Sequence, residues 1–339
     1  MRIGPFEGSA AEWDAFAREQ EGWTPFHSWR WRGVVERAHG LAGPHLAARD
    51  EDGGLAAVLP LTRVASPVFG HYLVSMPYVN YGGPLGEAEA AGRLAGAAAE
   101  LAREEGVDLL ELRSRSPVET DLEASHRRIT VVLDLPEEAG TLWDDFDGKV
   151  RNQVRKPRKE GVEVRFGRDQ LGPFYRVYAR HMRDLGTPAQ PRELFEATAD
   201  AFPERSWFGA AWLDGKAVAG GCGLRWGGEF EMTWASDLMD YRSVAPNMLL
   251  YWSFMERACE EGLERFNFGR CEPGSGTHRF KRQWGTRDEQ LWWYQWSAEG
   301  VDATPTPDDD AWSWGPKLWR KLPVPVATAL GPRIVRYIP

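Results

Sequence analysis

The chain has 339 residues, with 41 Lys and Arg against 50 Asp and Glu, for a formal charge of −9. That length suits two domains of ordinary size, and a composition of 42% hydrophobic and 27% charged residues is that of a soluble globular protein. The acidic balance argues against a protein coated in nucleic acid, while leaving room for a local basic groove.

The first residues, MRIGPFEGSAAEWDAF, carry no apolar run behind a basic start, so no secretory signal is expected. No window approaches the roughly 20 apolar residues of a membrane span, and the predicted address is cytoplasmic. His45 to Arg49 reads as a strand, Asp52-Gly53-Gly54 as a hairpin turn and Leu55 to Val64 as its partner. A helix over about 88–105 leads into the strand Val107 to Arg113. A connecting helix is predicted over Asp144 to Lys159, acidic at its start and basic at its end, with a kink or stop at Pro157. The first plan then recurs. Trp207 to Leu213, the turn Asp214-Gly215-Lys216 and Ala217 to Trp226 form a second hairpin. A helix over about 247–261, with Asn247 as its cap, leads into the strand Leu263 to Arg270.

Strand, Asp-Gly turn, strand, helix ending in Glu-Glu-Gly and strand ending in Arg therefore occur twice, which points to duplicated α/β domains rather than a solenoid. VDATPTPDDD, from Val301, reads as a linker. In the segment beyond it, Trp312, Trp314, Trp319, Leu318 and Leu322 alternate with Lys317, Arg320 and Lys321. That segment either docks on its own domain or lies on a membrane surface, and Pro323, Pro325 and Pro332 prevent one long helix.

Chemistry concentrates in FNFGRCEPGSGTHRFKRQWG, residues 266–285. Arg270 follows a strand, Pro273-Gly274-Ser275-Gly276 form a turn with Thr277 after it, and Arg279, Lys281 and Arg282 stand among Phe280 and Trp284. Exposed amides beside glycines, with cations on an aromatic frame, suit a phosphate or a developing oxyanion. A hairpin followed by a solvated basic helix gives the same text. A second cluster lies in Lys149 to Lys159, where Arg151 and Arg155 share a helix face and Asn152 and Gln153 add amides. It is either a phosphate-contacting run or a solvated face. MTWASD, residues 232–237, sets Trp234 and Ser236 against Thr233 and Ala235 on a strand, and Asp237 at its end is placed to accept a proton from an amine. Asp184 is the alternative, and both residue types also serve turns and caps. Tyr78, Asn80 and Tyr81, in MPYVNYGGP, offer a sugar or peptide pocket or make ordinary turns. Cys222, Cys259 and Cys271 are widely spaced and expected to be reduced thiols, and the histidines show no metal-ligand spacing.

With these residues in view, the chain resembles the FemAB branch of the GNAT acyltransferase superfamily, and in particular FemAB-related proteins of exopolysaccharide and exosortase gene clusters. The matching text includes TPFHSWRW (24–31), LVSMPYVNYGGPL (73–85), VRNQVRKPRKEGVEV (150–164), APNMLLYW (245–252) and residues 266–285. The resemblance implies an α/β (α+β) protein of two tandem GNAT-like domains. Each would be a mixed, mostly antiparallel sheet flanked by helices. The expected divisions are residues 1–143, residues 144–298 with the basic connecting helix, and a tail over 299–339. It also implies transfer of an acyl or aminoacyl group to an amine of an envelope sugar or peptide precursor. The donor would be aminoacyl-tRNA or acyl-CoA, with no bound cofactor. A peripheral contact of the tail would place the protein at the inner face of the membrane. Lys281 matches the family's oxyanion-stabilising Lys, and Phe280 the residue that fixes it. The chain departs from the pattern in three places. It has no heptad-bearing insertion, it carries Pro157 where a small helix former is usual, and Arg270, Gly274 and Gly276 stand one residue out of the register of an acyl-CoA loop.

Overall fold

The computed structural model describes residues 1–66, 69–298 and 314–338. In chain order the first strands and helices are β1 (Arg2–Pro5), α1 (Ala10–Glu19), α2 (Trp29–His39), β2 (His45–Arg49), β3 (Leu55–Pro60) and β4 (Thr62–Ser66). They are followed by β5 (Gly70–Val74), β6 (Leu85–Gly86), α3 (Ala88–Glu104), β7 (Leu109–Ser114), β8 (Glu123–Ser125) and β9 (Ile129–Asp134). The middle of the chain forms α4 (Ala139–Asp145), α5 (Gly148–Lys159), β10 (Glu163–Phe166), α6 (Leu171–Leu185), α7 (Arg192–Ala201) and β11 (Ser206–Leu213). Next come β12 (Lys216–Trp226), β13 (Glu229–Asp237), α8 (Pro246–Glu260), β14 (Arg265–Cys271) and α9 (Gly276–Arg282). The last elements are β15 (Arg287–Gln290), β16 (Trp292–Ser297), α10 (Trp314–Trp319) and α11 (Val324–Val335). No described helix is long and apolar enough to cross a membrane.

Two compact units result. Among the described residues, one comprises 1–128, 290–298 and 333–338, and the other 129–289 and 314–332. Each is a mixed, mostly antiparallel α/β unit with helices against its sheets.

In the first unit, β1-β2-β3-β6 form one sheet and β4-β5-β7-β16-β8 another. Leu61 separates β3 from β4, so the strand expected over Leu55 to Val64 divides between the two sheets. The apolar stripe of α3 (Leu94, Ala95, Ala98, Ala102) packs with Leu46, Leu59, Leu110, Leu112 and Tyr294. β16 fits antiparallel to β7, with Tyr294 opposite Leu112. The segment following β5 is clamped from within. Arg113 donates to the Val79 carbonyl at 2.9 Å and pairs with Glu111 at 2.7 Å, both side chains being buried. That clamp holds Met76 and Tyr78 at positive φ, a conformation unfavourable for residues with side chains.

The second unit is one seven-stranded sheet, β10-β11-β12-β13-β14-β9-β15. α5 and α8 cover one face, where Val150, Val154, Met248, Phe254 and Met255 meet Phe230, Met232, Phe266 and Phe268. The other face carries Phe174, Tyr178 and Phe195 of α6 and α7, with Phe208 and Cys222 beneath them. Gly220 permits this approach, because a Cβ there would meet the Cα of Phe174 at 3.0 Å.

Several expectations need correction. The units divide at 128/129 and not at 143/144, because β9 pairs with β14. β16 was expected in the second domain but completes a sheet of the first unit. Pro157 does not stop its helix. α5 runs through it to Lys159, since Pro157 faces the interior one turn from Val154 and its ring needs only the local loss of one backbone bond. Pro332 likewise lies inside α11. The cap of α8 is Ala245, with Pro246 first in the helix, so Asn247 stands in the first turn. The linker expected from Val301 and the residue Trp312 lie outside the described residues.

Candidate active site

The site begins where two strands part. β13 and β14 run parallel and pair at Glu229–Arg265, Phe230–Phe266 and Glu231–Asn267, and no pairing between them follows, although β13 continues to Asp237 and β14 to Cys271. A buried polar network sits at the point of parting. Asn267 Nδ2 donates to Glu229 Oε1 at 2.8 Å, and its Oδ1 accepts from Thr130 Oγ1 at 2.7 Å and from the Gly269 amide at 2.8 Å. These bonds satisfy groups that would otherwise be costly to bury. They also draw Gly269, at φ +72°, out of the ladder. The register between β14 and β9 shifts between Asn267 and Arg270 accordingly.

Lys281 occupies the bulge. It comes from α9, whose N-cap Ser275 accepts from the His278 amide. Its Nζ donates to the carbonyls of Gly269 at 2.8 Å and Arg270 at 2.9 Å. Only 4% of the residue is exposed. Burial lowers its pKa to about 8, and the neighbouring Arg270 acts in the same direction against Cys271 and Glu231. An ammonium has three N–H donors, so one is left after the two carbonyls. A fixed, nearly dry cation with one donor to spare is suited to an oxygen that gains negative charge during a reaction.

Phe280 fixes α9 from the other side, set edge-on to Tyr251 at 5.1 Å. Tyr251 stacks on Phe268 at 5.3 Å, and its phenol is pushed well up, chiefly by burial and then by the charge of Asp237. Tyr251 thus joins Phe280 of α9 to Phe268 of β14, while Asp237 is the last residue of β13. Asp237 is not an open carboxylate, because Arg242 Nε lies 3.4 Å from it. Its amide donates to His181 Nδ1 at 3.1 Å, and burial keeps that imidazole toward its neutral form. Asp184 is paired with Arg180 and Arg183. Tyr251, His181, Asn267 and Glu231 were all missed in the sequence, where they read as ordinary members of a helix or strand.

The remaining sequence candidates divide. Gly274, Ser275, Gly276, Thr277 and Arg279 form a loop that braces itself. Arg279 donates to the Gly274 carbonyl at 2.6 Å, the Gly274 amide to His278 Nδ1 at 2.9 Å, and His278 meets Asp288 at 3.0 Å. Arg279 is therefore a strut of the turn as well as an exposed charge, and Arg270, Gly276 and Thr277 remain exposed beside it. Trp234 turns toward the α6 side, edge-on to Phe195 at 5.3 Å, and Ser236 is buried, so Trp234 reads as packing rather than as an open stacking platform. In α5, Val150, Val154 and Pro157 face inward and the cations face outward. Arg151 donates to the Asp144 carbonyl at 3.1 Å, the Arg155 guanidinium lies 5.3 Å from the Trp143 ring, and Asn152 is exposed. Tyr78, Asn80 and Tyr81 belong to the first unit and are not an open pocket. Tyr78 donates to the Arg336 carbonyl at 2.7 Å, Asn80 is buried, and Tyr81 is fully buried beside Phe26. A cleft of about 260 Å³, lined by Arg205, Arg225, Trp226 and Gly228 among others, lies at the opposite end of β13 from Asp237. Among the described residues no His, Cys, Asp and Glu cluster could hold a metal, and the three cysteines are buried and free.

Residues 145–282 match the acetyltransferase (GNAT) domain family. Over 140 residues the chain is 26% identical to a UDP-N-acetylmuramoylpentapeptide-lysine N(6)-alanyltransferase of Weissella viridescens, an alignment covering 40% of this chain and 42% of that relative. The crystal structure of FemX superposes with a TM-score of 0.62 at 15% identity, covering 87% of this chain and 97% of that one. A tandem GNAT protein from the clavulanic acid biosynthesis pathway gives 0.53 at 11% identity, covering 90% and 99%. These structural likenesses are of fold.

Proposed function

We propose that this chain, a FemABX-like protein carrying a GNAT acetyltransferase domain over residues 145–282, transfers an acyl or aminoacyl group to an amine of a cell-envelope or exopolysaccharide precursor. The observation that carries the reading is Lys281, buried at the parting of β13 and β14 with two of its donors on backbone carbonyls. The acceptor amine attacks the donor carbonyl, a C–N bond forms, and the C–O bond of an aminoacyl ester or the C–S bond of a thioester breaks. Lys281 stabilises the oxyanion between these events, and Phe280 with Tyr251 holds α9 in register. The amine's proton leaves with the alkoxide or thiolate. Asp237, at the end of β13, is the carboxylate expected to accept a proton, but Arg242 already engages it.

The relative from Weissella viridescens, an alanyltransferase by name, supports an aminoacyl donor and a nucleotide-linked peptide acceptor; charged tRNA is the proposed partner and the cytoplasm the proposed place of work. The parted strands favour a second reading. The edge of β13 beyond Glu231 has no pairing with β14 and can add a strand-like chain of amides, such as the arm of an acyl-CoA. Labelled aminoacyl-tRNA and acyl-CoA, each offered with UDP-linked muropeptide or an amino-sugar nucleotide, decide between them by mass of the product. Absence of transfer from either class of donor to any amine overturns the proposal.

A further inference from the structure

α10, and α11 as far as Pro332, belong to the second unit and dock against it. Gly186, at φ +83°, ends α6 so close to the tail that a Cβ there would meet the Pro316 carbonyl at 2.7 Å. Arg183 donates to the Arg320 carbonyl and Arg320 to the Leu185 carbonyl, both at 3.1 Å. Ala327 and Gly331 turn inward on α11, and a Cβ on Gly331 would come within 3.0 Å of the Ala189 backbone.

The opposite face of α11 is Pro325, Val326, Ala329 and Leu330, all exposed and all apolar, with Arg333 one turn further on. This inverts the usual amphipathic arrangement, in which the outer face of a docked helix is polar. Leu318 is 56% exposed, Leu185 46%, Val326 42% and Leu330 38%. They make up most of the exposed large hydrophobic residues of the second unit. Lys317, Arg320, Lys321 and Arg333 accompany them, and residues 314–338 hold no Asp or Glu in a chain of net charge −9.

From this combination we infer that the α10–α11 segment is a docking surface for an anionic lipid bilayer, on which it lies in the plane of the headgroups. α11 has 12 residues, too few to span the roughly 20 that a bilayer requires, so the contact is interfacial. The cations supply attraction to anionic headgroups and the apolar face supplies insertion. A second copy of the chain would match the apolar residues but would set Lys317, Arg320, Lys321 and Arg333 against the same four cations. The inference does not depend on the transfer reaction, and its test needs no substrate.

The 339-residue chain is floated with vesicles of phosphatidylcholine alone and with a third of the lipid as phosphatidylglycerol, at low and high salt. Binding to the anionic vesicles is expected, weakening with salt. K317Q and K321Q should each lower the partition coefficient by roughly fivefold. V326E/L330E, which alters only exposed side chains, should lower it by roughly tenfold or more while leaving the melting temperature near that of wild type. No binding at low salt, or V326E/L330E binding like wild type, overturns the inference. So does a dimer in light scattering that V326E/L330E converts to monomer without vesicle binding, since that assigns the face to a second copy.

Discussion

Lys281 makes the fold's stability depend on pH in a direction that can be worked out. Its pKa falls from 10.5 to about 8 in the folded chain, burial outweighing the charges of Cys271 and Glu231 that favour the ammonium. Above pH 10.5 the side chain is neutral in both states and the shift contributes nothing. Between there and pH 8 the unfolded chain binds the proton more readily, so stability falls as pH falls through this window. Below pH 8 both states are protonated and the penalty is constant. At about 1.4 kcal/mol per tenfold difference in proton affinity, the gap amounts to about 3 kcal/mol. Other groups titrate in the same range, so the useful quantity is the difference between wild type and Lys281→Met. Urea midpoints taken from neutral to alkaline pH should show that difference moving by about 3 kcal/mol in favour of wild type between pH 8 and 10.5, and flat below. A difference that stays flat across the window would mean that Lys281 is well solvated, and the oxyanion argument would lose its basis. If the ammonium is the working form, transfer should also decline as pH rises through about 8.

Two further substitutions test the frame. Asn267→Ala removes the bonds from Thr130, from Gly269 and to Glu229 in a fully buried setting. It should cost about 2–4 kcal/mol in denaturant unfolding; a loss below about 0.5 kcal/mol would show that the network does not hold the strands apart. Arg113→Met removes the buried ion pair of Glu111, leaving that carboxylate to Gln295 and the charge of Arg128, and releases the clamp on Val79. A loss of about 3–5 kcal/mol is expected, with the double variant Glu111→Gln/Arg113→Met recovering part of it; a double variant no better than the single would put the cost in lost packing.

Local chemistry made some elements legible. The turn at Asp214-Gly215 shows φ of +49° and +74°, the left-handed pair that an Asp-Gly hairpin turn uses, and α3 forms within a residue of its expected bounds. The tandem α/β plan followed from the order of such elements. The partners of β9 and β16 did not, because a short apolar strand pairs equally well with any matching edge and its sequence does not say which. The inward turn of Lys281 was also hidden. In a run of cations it looks like its neighbours, and only the bulge at Gly269, set by the distant Thr130 and Asn267, creates carbonyls for it to meet. Tyr78 and Tyr81 misled for the opposite reason, since loop-like text beside glycines proved to be clamped, buried backbone. The tail was legible in composition only, and its apolar outer face required the docked geometry.

The central claim is that acyl transfer passes through the ammonium of Lys281. Single-turnover transfer by wild type and Lys281→Met, with the folded state of each checked by its melting curve, tests it directly. Losing one oxyanion donor is worth about 3 kcal/mol, so the variant should react on the order of a hundredfold or more slowly while binding donor and acceptor as before. A folded Lys281→Met protein with the wild-type rate would contradict the account.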